Sequence, residues 1–468
     1  MTTKNIPSIA SPVYKMLGVV LVFMVCFIYA FPFWIYVADE VSYINRAFQL
    51  FNPDYQQWWA GMDDTTGIPA DYPLGTSYFL TPFISIFSIK GIYLANLMYL
   101  SFSSLFIYQG IRLLNSSRVG LTAYVFCCLP ILFYSRTAMS ELPSMMIVGA
   151  AFYCYFAGYR RSNYLFLFTA LAALSVWFRE SNAILFVIPV IHLFVRQSSK
   201  IPVLIGGLLL GFIPRVFSAW TTYGDPFFLK DPGYGFSLNY FTDNISIYAV
   251  TLIFLFPGLL YFISHFKTSR QQILNSSIII FIVFHMLYGY DGMDASGIKG
   301  ILLESRFIIP ALPMVLFSFS MVQKNWITRL AAITPWLAML AIVGFHTLMV
   351  FAERPLKKFN AVVTSHMNDD ATFYIDENSP ELLEIVTPHT VKSKMNVAAL
   401  STLPKANSTN DKKNRFIIHQ IREDNQNREH KQVVFDASLE QILIDRDYTL
   451  IYFDKSGYQL LQLYRLND

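Results

Sequence analysis

The amino-acid sequence predicts a polytopic, mostly α-helical membrane protein that ends in a small α/β domain. Three observations support this fold class. Hydrophobic residues make up 54% of the 468 residues and charged residues only 14%, and the mean hydropathy is +0.42, which is not typical of a soluble protein. Apolar stretches long enough to cross a bilayer recur between residue 14 and about residue 351. After residue 351 the charges become dense and mixed in sign.

Two domains are therefore expected, a membrane domain over residues 1–351 and a soluble domain over residues 352–468. No small-residue cleavage site follows the first apolar stretch, so we interpret it as a retained helix and not as a removed signal. About eleven spanning helices are predicted, over residues 14–37, 91–111, 119–135, 143–158, 164–178, 183–195, 201–219, 246–264, 272–290, 307–323 and 330–351.

The loops between these spans separate the two signs of charge. In alternate loops every charged residue is basic, and none is acidic. These residues are Lys4, Lys15, Arg112, Arg118, Arg160, Arg161, Arg196, Lys200, Lys267, Arg270, Lys324 and Arg329. The acidic residues before the tail all lie in the other loops. The positive-inside rule then places the N-terminus in the cytoplasm and the acidic loops outside. An odd number of spans puts the C-terminal domain on the outer side as well.

Residues 38–90 form the first outer loop, in which interfacial helices are expected. The run over residues 76–89 is apolar but is broken by Pro82. Counting this run as a further span would reverse the side of every later loop and destroy the separation of charges. We therefore interpret it as a helix at the membrane interface.

The soluble domain contains short apolar or alternating runs that predict strands, "ATFYIDE", "QVVFDA" and "YTLIYFD". The run "SLEQILI" predicts a short helix. The stretch "PKANSTNDKKNRF" is polar and is interpreted as a loop or a disordered insertion.

Charged residues gather at the outer ends of the expected spans. Charges at membrane depth are costly, so such groups either pair to anchor a helix end or serve a function. Because the clusters all lie on one side, we predict a polar cavity that opens outward, in which a carboxylate acts as a general base and arginines hold an anion. The clusters are Asp39 with Glu40, Arg136 with Glu141, Arg179 with Glu180, and Lys299 with Glu304 and Arg306.

No cofactor is assigned, because the chain has no glycine-rich nucleotide motif and no metal-ligand spacing. Asp63 and Asp64 leave a divalent cation open, although two carboxylates fall short of a six-ligand shell. The net charge of +4 is small and dispersed, which argues against a nucleic-acid partner.

Four stretches occur in a recognisable order. The pair Asp39-Glu40 is followed by an aromatic and a small residue, and "DYPLGTSYFLTPF", which contains Tyr72, comes next. "SRTAMSELPSMM" and "RFIIPALP" follow later in the chain. Together they resemble motifs of the GT-C class of polytopic glycosyltransferases, especially the protein O-mannosyltransferases and lipid A aminoarabinose transferases. Glu141 stands where that family usually has Asp, and Leu74 and Gly75 replace a Pro-Leu. The resemblance covers roughly residues 14–325.

The resemblance implies transfer of a sugar, with inversion, from a polyprenyl-phosphate-linked donor to a hydroxyl of a glycan, lipid or protein. The chemistry would take place on the periplasmic or lumenal face of a cell inner (plasma) membrane. Asp39 would be the general base, and Glu40 would orient the acceptor or a cation. Glu141 would bind the acceptor or pair with Arg136. The remaining substrate-binding residues would be Arg136, Arg179, Lys299 and Arg306, as phosphate ligands, and Tyr72.

A membrane transporter or a flippase for lipid-linked sugars is the alternative, because such proteins also contain broken helices and membrane-embedded charges. The chain shows no internal repeat, and its ionisable residues gather at one end of the spans and not at their centres. These features favour the transferase.

Overall fold

The computed structural model describes two compact units. The first contains residues 46–51 and the described residues from 73 to 344, and the second contains residues 39–45 and the described residues from 347 onward. The described residues are 39–51, 73–87, 90–126, 128–159, 161–228, 235–250, 266–289, 305–322, 340, 343–344, 347, 358–359, 362–363, 365–366, 371–375, 396–399, 415–422, 443, 448–456 and 459–466.

Residues up to 322 form α-helices and 3₁₀ helices. The α-helices are α1 (Asp39–Phe51), α2 (Gly75–Phe87), α3 (Gly91–Leu114), α4 (Leu129–Tyr134), α5 (Glu141–Gly158), α6 (Ser162–Phe178), α7 (Asn182–Arg196), α8 (Ile201–Tyr223), α9 (Leu238–Val250), α10 (Ser269–Met286) and α11 (Leu312–Ser320). The 3₁₀ helices cover Ser116–Phe126, Ser198–Lys200 and Arg306–Ala311. The expected span over residues 14–37 lies outside the described residues. Of the expected span over residues 330–351, only residues 340, 343–344 and 347 are described.

Helix α5 lies at the centre of the first unit. Its residues are apolar on all sides, and every one of them except Tyr153 is buried, as expected for a helix without a polar face. It packs against α3, α6 and the 3₁₀ helix Arg306–Ala311. The first residue of this central helix is Glu141, so the fold carries a carboxylate into its interior.

Helix α8 has the opposite character. It exposes a row of large apolar side chains: Ile205, Leu209, Leu210, Phe212, Ile213, Phe217 and Trp220. Among the described residues, α3 and the helical stretch Ser198–Tyr223 are long and apolar enough to cross a membrane, while α6, α7 and Arg306–Ser320 are apolar but shorter. Exposed apolar rows on helices of this kind fit a hydrocarbon surrounding.

Two expected spans are not continuous α-helices. The stretch 119–135 is divided into the 3₁₀ helix Ser116–Phe126 and α4, and Pro130 stands at the start of α4. The stretch 307–323 begins as a 3₁₀ helix that contains Pro310 and continues as α11, which has a proline in its first turn. Proline lacks an N–H donor and clashes with the carbonyl four residues earlier, which disfavours a regular α-helix at these positions, although α2, α7 and α8 each continue through a proline.

Helix α2 contains 13 residues, which corresponds to about 20 Å. A spanning helix needs about 20 residues, so the length of α2 agrees with the interpretation that residues 76–89 do not form a span. Its placement at the membrane interface stays a prediction.

The second unit contains a five-stranded mixed sheet. The strands are β1 (Thr372–Ile375), β2 (Asn396–Ala399), β3 (Arg415–Arg422), β4 (Tyr448–Ser456) and β5 (Gln459–Leu466), in the order β2-β1-β3-β5-β4. β1 is parallel to both β2 and β3, whereas β5 is antiparallel to β3 and β4. Parallel neighbours cannot be joined by a tight turn, which agrees with the 20 residues that separate β1 from β2 in the sequence. The strands expected at "ATFYIDE" and "YTLIYFD" are confirmed, while "QVVFDA" lies outside the described residues.

Helices α6 and α8 meet at two glycines of α8. A Cβ atom at Gly211 would collide with the backbone carbonyl of Ala170, and one at Gly207 would collide with Thr169 and the carbonyl of Phe166. Glycines spaced by four residues let two helix backbones approach closely, as they do in membrane helix pairs. Close approach at this pair fixes the position of α6, whose C-terminal end carries Arg179.

The variant Gly211→Ala is expected to destabilise the protein by about 1–3 kcal/mol, because rigid backbone atoms must move to admit the methyl group. The matched control is Gly206→Ala, whose Cβ atom would lie 3.7 Å from a side-chain atom of Phe166. That variant is expected to be neutral or slightly stabilising, since alanine favours helix over glycine. Thermal unfolding in detergent measures both, and equal melting temperatures for the two variants would contradict the close packing of α6 and α8.

Candidate functional site

A buried ion-pair cluster is centred on Glu141, which begins α5 and is 1% exposed. An acidic residue in the first turn of a helix interacts favourably with the helix dipole. Oε1 of Glu141 accepts a hydrogen bond from Nη1 of Arg179 at 2.6 Å, and Nε of Arg306 lies 3.8 Å from the same oxygen. The ends of three elements, α5, α6 and the 3₁₀ helix Arg306–Ala311, therefore meet at one carboxylate.

Arg179 is held by several contacts at once. It is the C-cap of α6, where a cation complements the helix dipole. Its Nε donates to the Oγ of Ser181 at 3.2 Å, and Nη1 donates to Ser140 as well as to Glu141. Within the described part of the chain, Nη2 of Arg179 has no acceptor, and the side chain keeps 15% of its exposure. A fixed guanidinium with one accessible amino group is suited to bind an anion.

Phe307 supports both arginines of the cluster. The Cζ atom of Arg179 lies 4.6 Å from the centroid of this ring, and that of Arg306 lies 4.9 Å from it. These distances allow cation–π attraction, which is stronger when the groups are shielded from water. The side chain of Arg306 is only 2% exposed, so the ring and the carboxylate both contribute to holding its charge in the interior.

His285, near the C-terminal end of α10, stacks on Phe307 with 5.4 Å between ring centroids and an angle of 24° between the planes. Nδ1 of the imidazole lies 2.8 Å from the carbonyl oxygen of Phe281. Because a carbonyl oxygen only accepts hydrogen bonds, Nδ1 carries a hydrogen. His285 was not predicted as a site residue, because the histidines of the sequence show no metal-ligand spacing.

Arg136 is held at two places by one face of α3. Its Nη2 donates to the hydroxyl of Tyr93 at 3.2 Å, and its Cζ lies 5.1 Å from the centroid of that ring. Nδ2 of Asn96 donates to the carbonyl oxygens of Ser135 and Thr137, at 3.0 and 2.8 Å. Residues three positions apart share a helix face. Tyr93 therefore orients the guanidinium, and Asn96 fixes the backbone on both sides of Arg136.

Asn182 connects the helices that carry Glu141 and Arg179. Its Nδ2 donates to the Oγ of Ser144, in the first turn of α5, and to the carbonyl oxygen of Ser175, near the end of α6, both at 3.0 Å. The side chain is fully buried. This amide fixes the distance between the two helix ends and thereby supports the ion pair.

The pairing of charges differs from two expectations. Glu141 was a candidate partner of Arg136, but its ion-pair partners are Arg179 and Arg306. The reason is that Asn96 and Tyr93 hold Arg136 against α3. Glu180 also does not share the environment of its neighbour Arg179. It pairs with Arg215 at 2.8 Å, because adjacent residues at a helix end project in different directions.

Arg215 is a buried cation that the pattern of charges at span ends did not predict. It lies inside α8 and is 7% exposed. Besides Glu180, its Nη2 contacts the carbonyl oxygen of Phe228. The available signal was a single arginine within the apolar stretch 201–219, since an isolated charge inside a span indicates a buried partner.

Several expected site residues cannot be placed in detail. Asp39 is the first residue of α1, and its side chain lies outside what the structure describes. Glu40 is fully buried and belongs to the buried face of α1. The remaining expected positions outside the described residues are Tyr72, Lys299, Glu304, Asp63 and Asp64. Among the described residues, no three histidine, cysteine or acidic side chains lie close enough together to hold a metal ion.

No family model matches the chain, and no curated protein matches it. Among solved structures, the fold is similar to the crystal structure of ArnT from Cupriavidus metallidurans bound to undecaprenyl phosphate. The TM-score is 0.64 and the sequence identity is 10%, and the similarity covers 97% of this chain and 98% of that chain. At this identity the likeness shows the fold.

The similarity shows that the chain has an ArnT-like fold, which agrees with the GT-C-like fold that the motif order implied. The branch of that class, the number of spanning helices and the side of the membrane on which the C-terminal domain lies stay predictions.

The variant Glu141→Ala is expected to lower the free energy of unfolding by roughly 3–5 kcal/mol, because it leaves buried guanidinium groups without their carboxylate. The matched control is Glu180→Ala, which removes the carboxylate of the other ion pair. Glu180 is 29% exposed against 1% for Glu141, and the buried Arg215 that it leaves behind keeps the carbonyl oxygen of Phe228 as an acceptor. The cost is therefore expected to be smaller, about 1–2 kcal/mol. Similar losses for the two variants, measured by thermal unfolding in detergent, would show that the Glu141 cluster does not behave as a buried network.

Proposed function

We propose that the protein is a membrane glycosyltransferase that transfers a sugar from a polyprenyl-phosphate-linked donor to a hydroxyl acceptor on the periplasmic or lumenal side. The observation that carries this proposal is the convergence of Arg179 and Arg306 on Glu141 and Phe307. It occurs in a chain with the fold of ArnT, whose crystal structure contains undecaprenyl phosphate. A polyprenyl phosphate is the leaving group that such a transfer would release.

The chemistry explains why arginines are suited to this task. As the bond between the sugar carbon and the phosphate oxygen breaks, its electron pair passes to the phosphate, which gains negative charge. Guanidinium groups stay charged at all accessible pH values and can donate two parallel hydrogen bonds to phosphate oxygens. Donors that are already fixed where charge develops lower the barrier without having to reorganise.

Arg179 is the phosphate ligand for which the geometry gives the strongest support. Its contacts with Ser181, Ser140 and Glu141 fix the guanidinium, while Nη2 has no acceptor among the described residues. We assign Arg306 a supporting position behind it, because it is more deeply buried and shares Phe307 with Arg179. Arg136 and Lys299 stay further candidates for the same phosphate.

Asp39 is proposed as the general base. Its carboxylate would accept the proton of the acceptor hydroxyl while the acceptor oxygen forms its new bond to the sugar carbon, on the face opposite the departing phosphate, which inverts that carbon. Glu40 would orient the acceptor, and Tyr72 would contact the substrate. Glu141 is assigned to the arginines, since Oε1 of its carboxylate contacts Arg179 and Arg306. These roles for Asp39, Glu40 and Tyr72 rest on the motif order.

The variants Arg179→Lys and Arg306→Lys are expected to weaken binding of undecaprenyl phosphate about 10-fold or more, which corresponds to about 1.4 kcal/mol. Lysine keeps the positive charge but lacks the planar fork. The matched control is Arg215→Lys, a buried arginine of α8 that pairs with Glu180, for which affinity is expected to stay within about threefold of the original. Binding is measured by titration of the detergent-purified, folded proteins. If Arg215→Lys weakened binding as much as the other two, the cluster could not be assigned to the phosphate.

Asp39→Asn keeps the size of the side chain but cannot accept the proton. It is expected to retain undecaprenyl phosphate binding and to lose sugar transfer by about 100-fold or more. Transfer is measured with a panel of polyprenyl-phosphate monosaccharides and membrane extract from cells that lack the protein. Glu40→Gln is the matched control and should lose less.

Two results would contradict this assignment. Normal transfer by Asp39→Asn, with loss in Glu40→Gln, would move the base to Glu40. Movement of the lipid-linked sugar across proteoliposome membranes, without transfer to any acceptor, would instead support the flippase or transporter.

A further inference from the structure

A second polar cluster lies at the other end of the helices that build the Glu141 site. Helix α5 has 18 residues, or about 27 Å. Tyr155 lies in its last turn, and Tyr159 is the C-cap residue directly after it. His192 lies in the last two turns of α7, and Arg270 lies in the first turn of α10. We call these four residues the Tyr155 cluster. None of them takes part in the site described above.

Hydrogen bonds connect three members of the Tyr155 cluster. The hydroxyl of Tyr159 donates to that of Tyr155 at 3.0 Å, and the hydroxyl of Tyr155 lies 3.1 Å from Nδ1 of His192. Tyr155 is fully buried among the rings of Phe152, Phe156 and Phe168, so its hydroxyl cannot turn to water.

We assign the tautomer of the imidazole from this network. With Tyr159 as the donor to Tyr155, the single hydrogen of the Tyr155 hydroxyl is left to donate to Nδ1 of His192. A neutral imidazole that accepts at Nδ1 carries its own hydrogen on Nε2. Among the residues that the structure describes, this Nε2–H has no acceptor, and the ring is partly exposed. The cluster thus presents a donor that a ligand can use.

Arg270 supplies a permanent positive charge beside this donor. Its Cζ lies 5.2 Å from the ring centroid of Tyr159, which orients the guanidinium by cation–π contact. In the described ranges, no carboxylate lies within ion-pair distance of Arg270, and the first turn of α10 contains no acidic residue. Arg196, one helical turn after His192 on the same face of α7, adds a second cation. The described residues of this arrangement therefore carry a net positive charge.

The apolar surface beside the cluster distinguishes a lipid from a free ion. Helix α7 exposes Ile191 and Val195, to 57% and 73%, and α10 exposes Ile280 and Val283, to 45% and 39%. The two helices pack against each other. Cationic donors at the ends of two helices, next to exposed apolar side chains along the same helices, match a phosphate headgroup with acyl chains attached.

We propose that the Tyr155 cluster binds the phosphate of an anionic phospholipid. Arg270 and the Nε2–H of His192 donate to the phosphate oxygens, and Arg196 adds to the attraction. The acyl chains lie along the exposed residues of α7 and α10. The cation-only loops predict that this end of the helices lies at the cytoplasmic face, which would put the lipid in the leaflet opposite the proposed sugar transfer. The site does not depend on the proposed function.

The test uses the full-length, detergent-purified protein and three soluble probes: dioctanoyl phosphatidylglycerol, dioctanoyl phosphatidylcholine and inorganic phosphate. Native mass spectrometry gives the occupancy, and thermal unfolding gives the stabilisation that binding produces. Phosphatidylglycerol is expected to bind at least about fivefold more tightly than phosphatidylcholine, and inorganic phosphate is not expected to compete at the same concentration, since it lacks the apolar contacts.

Variants locate the site. Arg270→Gln and His192→Phe are each expected to weaken phosphatidylglycerol binding about fivefold or more, because each removes a donor to the phosphate. Lys267→Gln is the matched control. It removes one positive charge from the exposed residue three positions before Arg270 and is expected to change affinity by less than about twofold. If Arg270→Gln does not fold, Arg270→Lys replaces it in the test. This variant keeps the positive charge, and its affinity for phosphatidylglycerol is expected to fall about threefold.

Three outcomes would overturn the proposal. Equal weakening by Lys267→Gln and Arg270→Gln would show attraction to the whole basic face and no defined site. Equal affinity for phosphatidylcholine and phosphatidylglycerol would show general lipid solvation. Full competition by inorganic phosphate would indicate a free-phosphate site.

Discussion

The cost of placing guanidinium groups in an apolar helix bundle is the constraint on which this structure depends. Arg136 and Arg306 are among the largest fully buried side chains of the described residues. A guanidinium cannot avoid the cost by losing its proton, and the desolvation penalty for a buried ion is several kcal/mol. The chain compensates by bringing a carboxylate and aromatic rings to the same region, where helix ends converge.

The helix ends contribute to this compensation directly. Glu141 stands at the N-terminus of α5 and Arg179 at the C-terminus of α6, so each interacts favourably with its own helix dipole as well as with its partner. Buried amides then hold the ends in register, Asn182 between α5 and α6 and Asn96 across the residues beside Arg136. The contacts that stabilise the fold are therefore the same contacts that fix the direction of the guanidinium donors.

The sequence predicts where the charges gather but not how they pair. The predicted span positions agree well with helices α3 and α5–α8. This agreement is possible because a bilayer requires a minimum length of apolar residues, which is visible as an apolar run in the sequence. The gathering of Glu141, Arg179 and Arg306 follows from the same rule, since charges are tolerated chiefly at span ends. Partner choice depends on how helices rotate and approach, which is why Glu141 binds Arg179 and Glu180 binds Arg215. His285 and Asn96 do not belong to any sequence motif, so they could not be predicted as site residues. The segments 119–135 and 307–323 depart from a regular α-helix near their prolines, which is a local effect of the backbone.

The two polar clusters of the first unit differ in how firmly they hold their cations, and this difference matches the two proposed uses of phosphate binding. At the Glu141 end, Arg179 is fixed by an acid, two hydroxyls and a ring, and is largely buried. A reaction needs such alignment, because small misplacements of a catalytic donor reduce the rate strongly. At the Tyr155 end, Arg270 is exposed, and its guanidinium contacts the ring of Tyr159. A cation held in this way can follow a lipid that exchanges with the bilayer, so the weaker restraint suits anchoring and the stronger one suits catalysis.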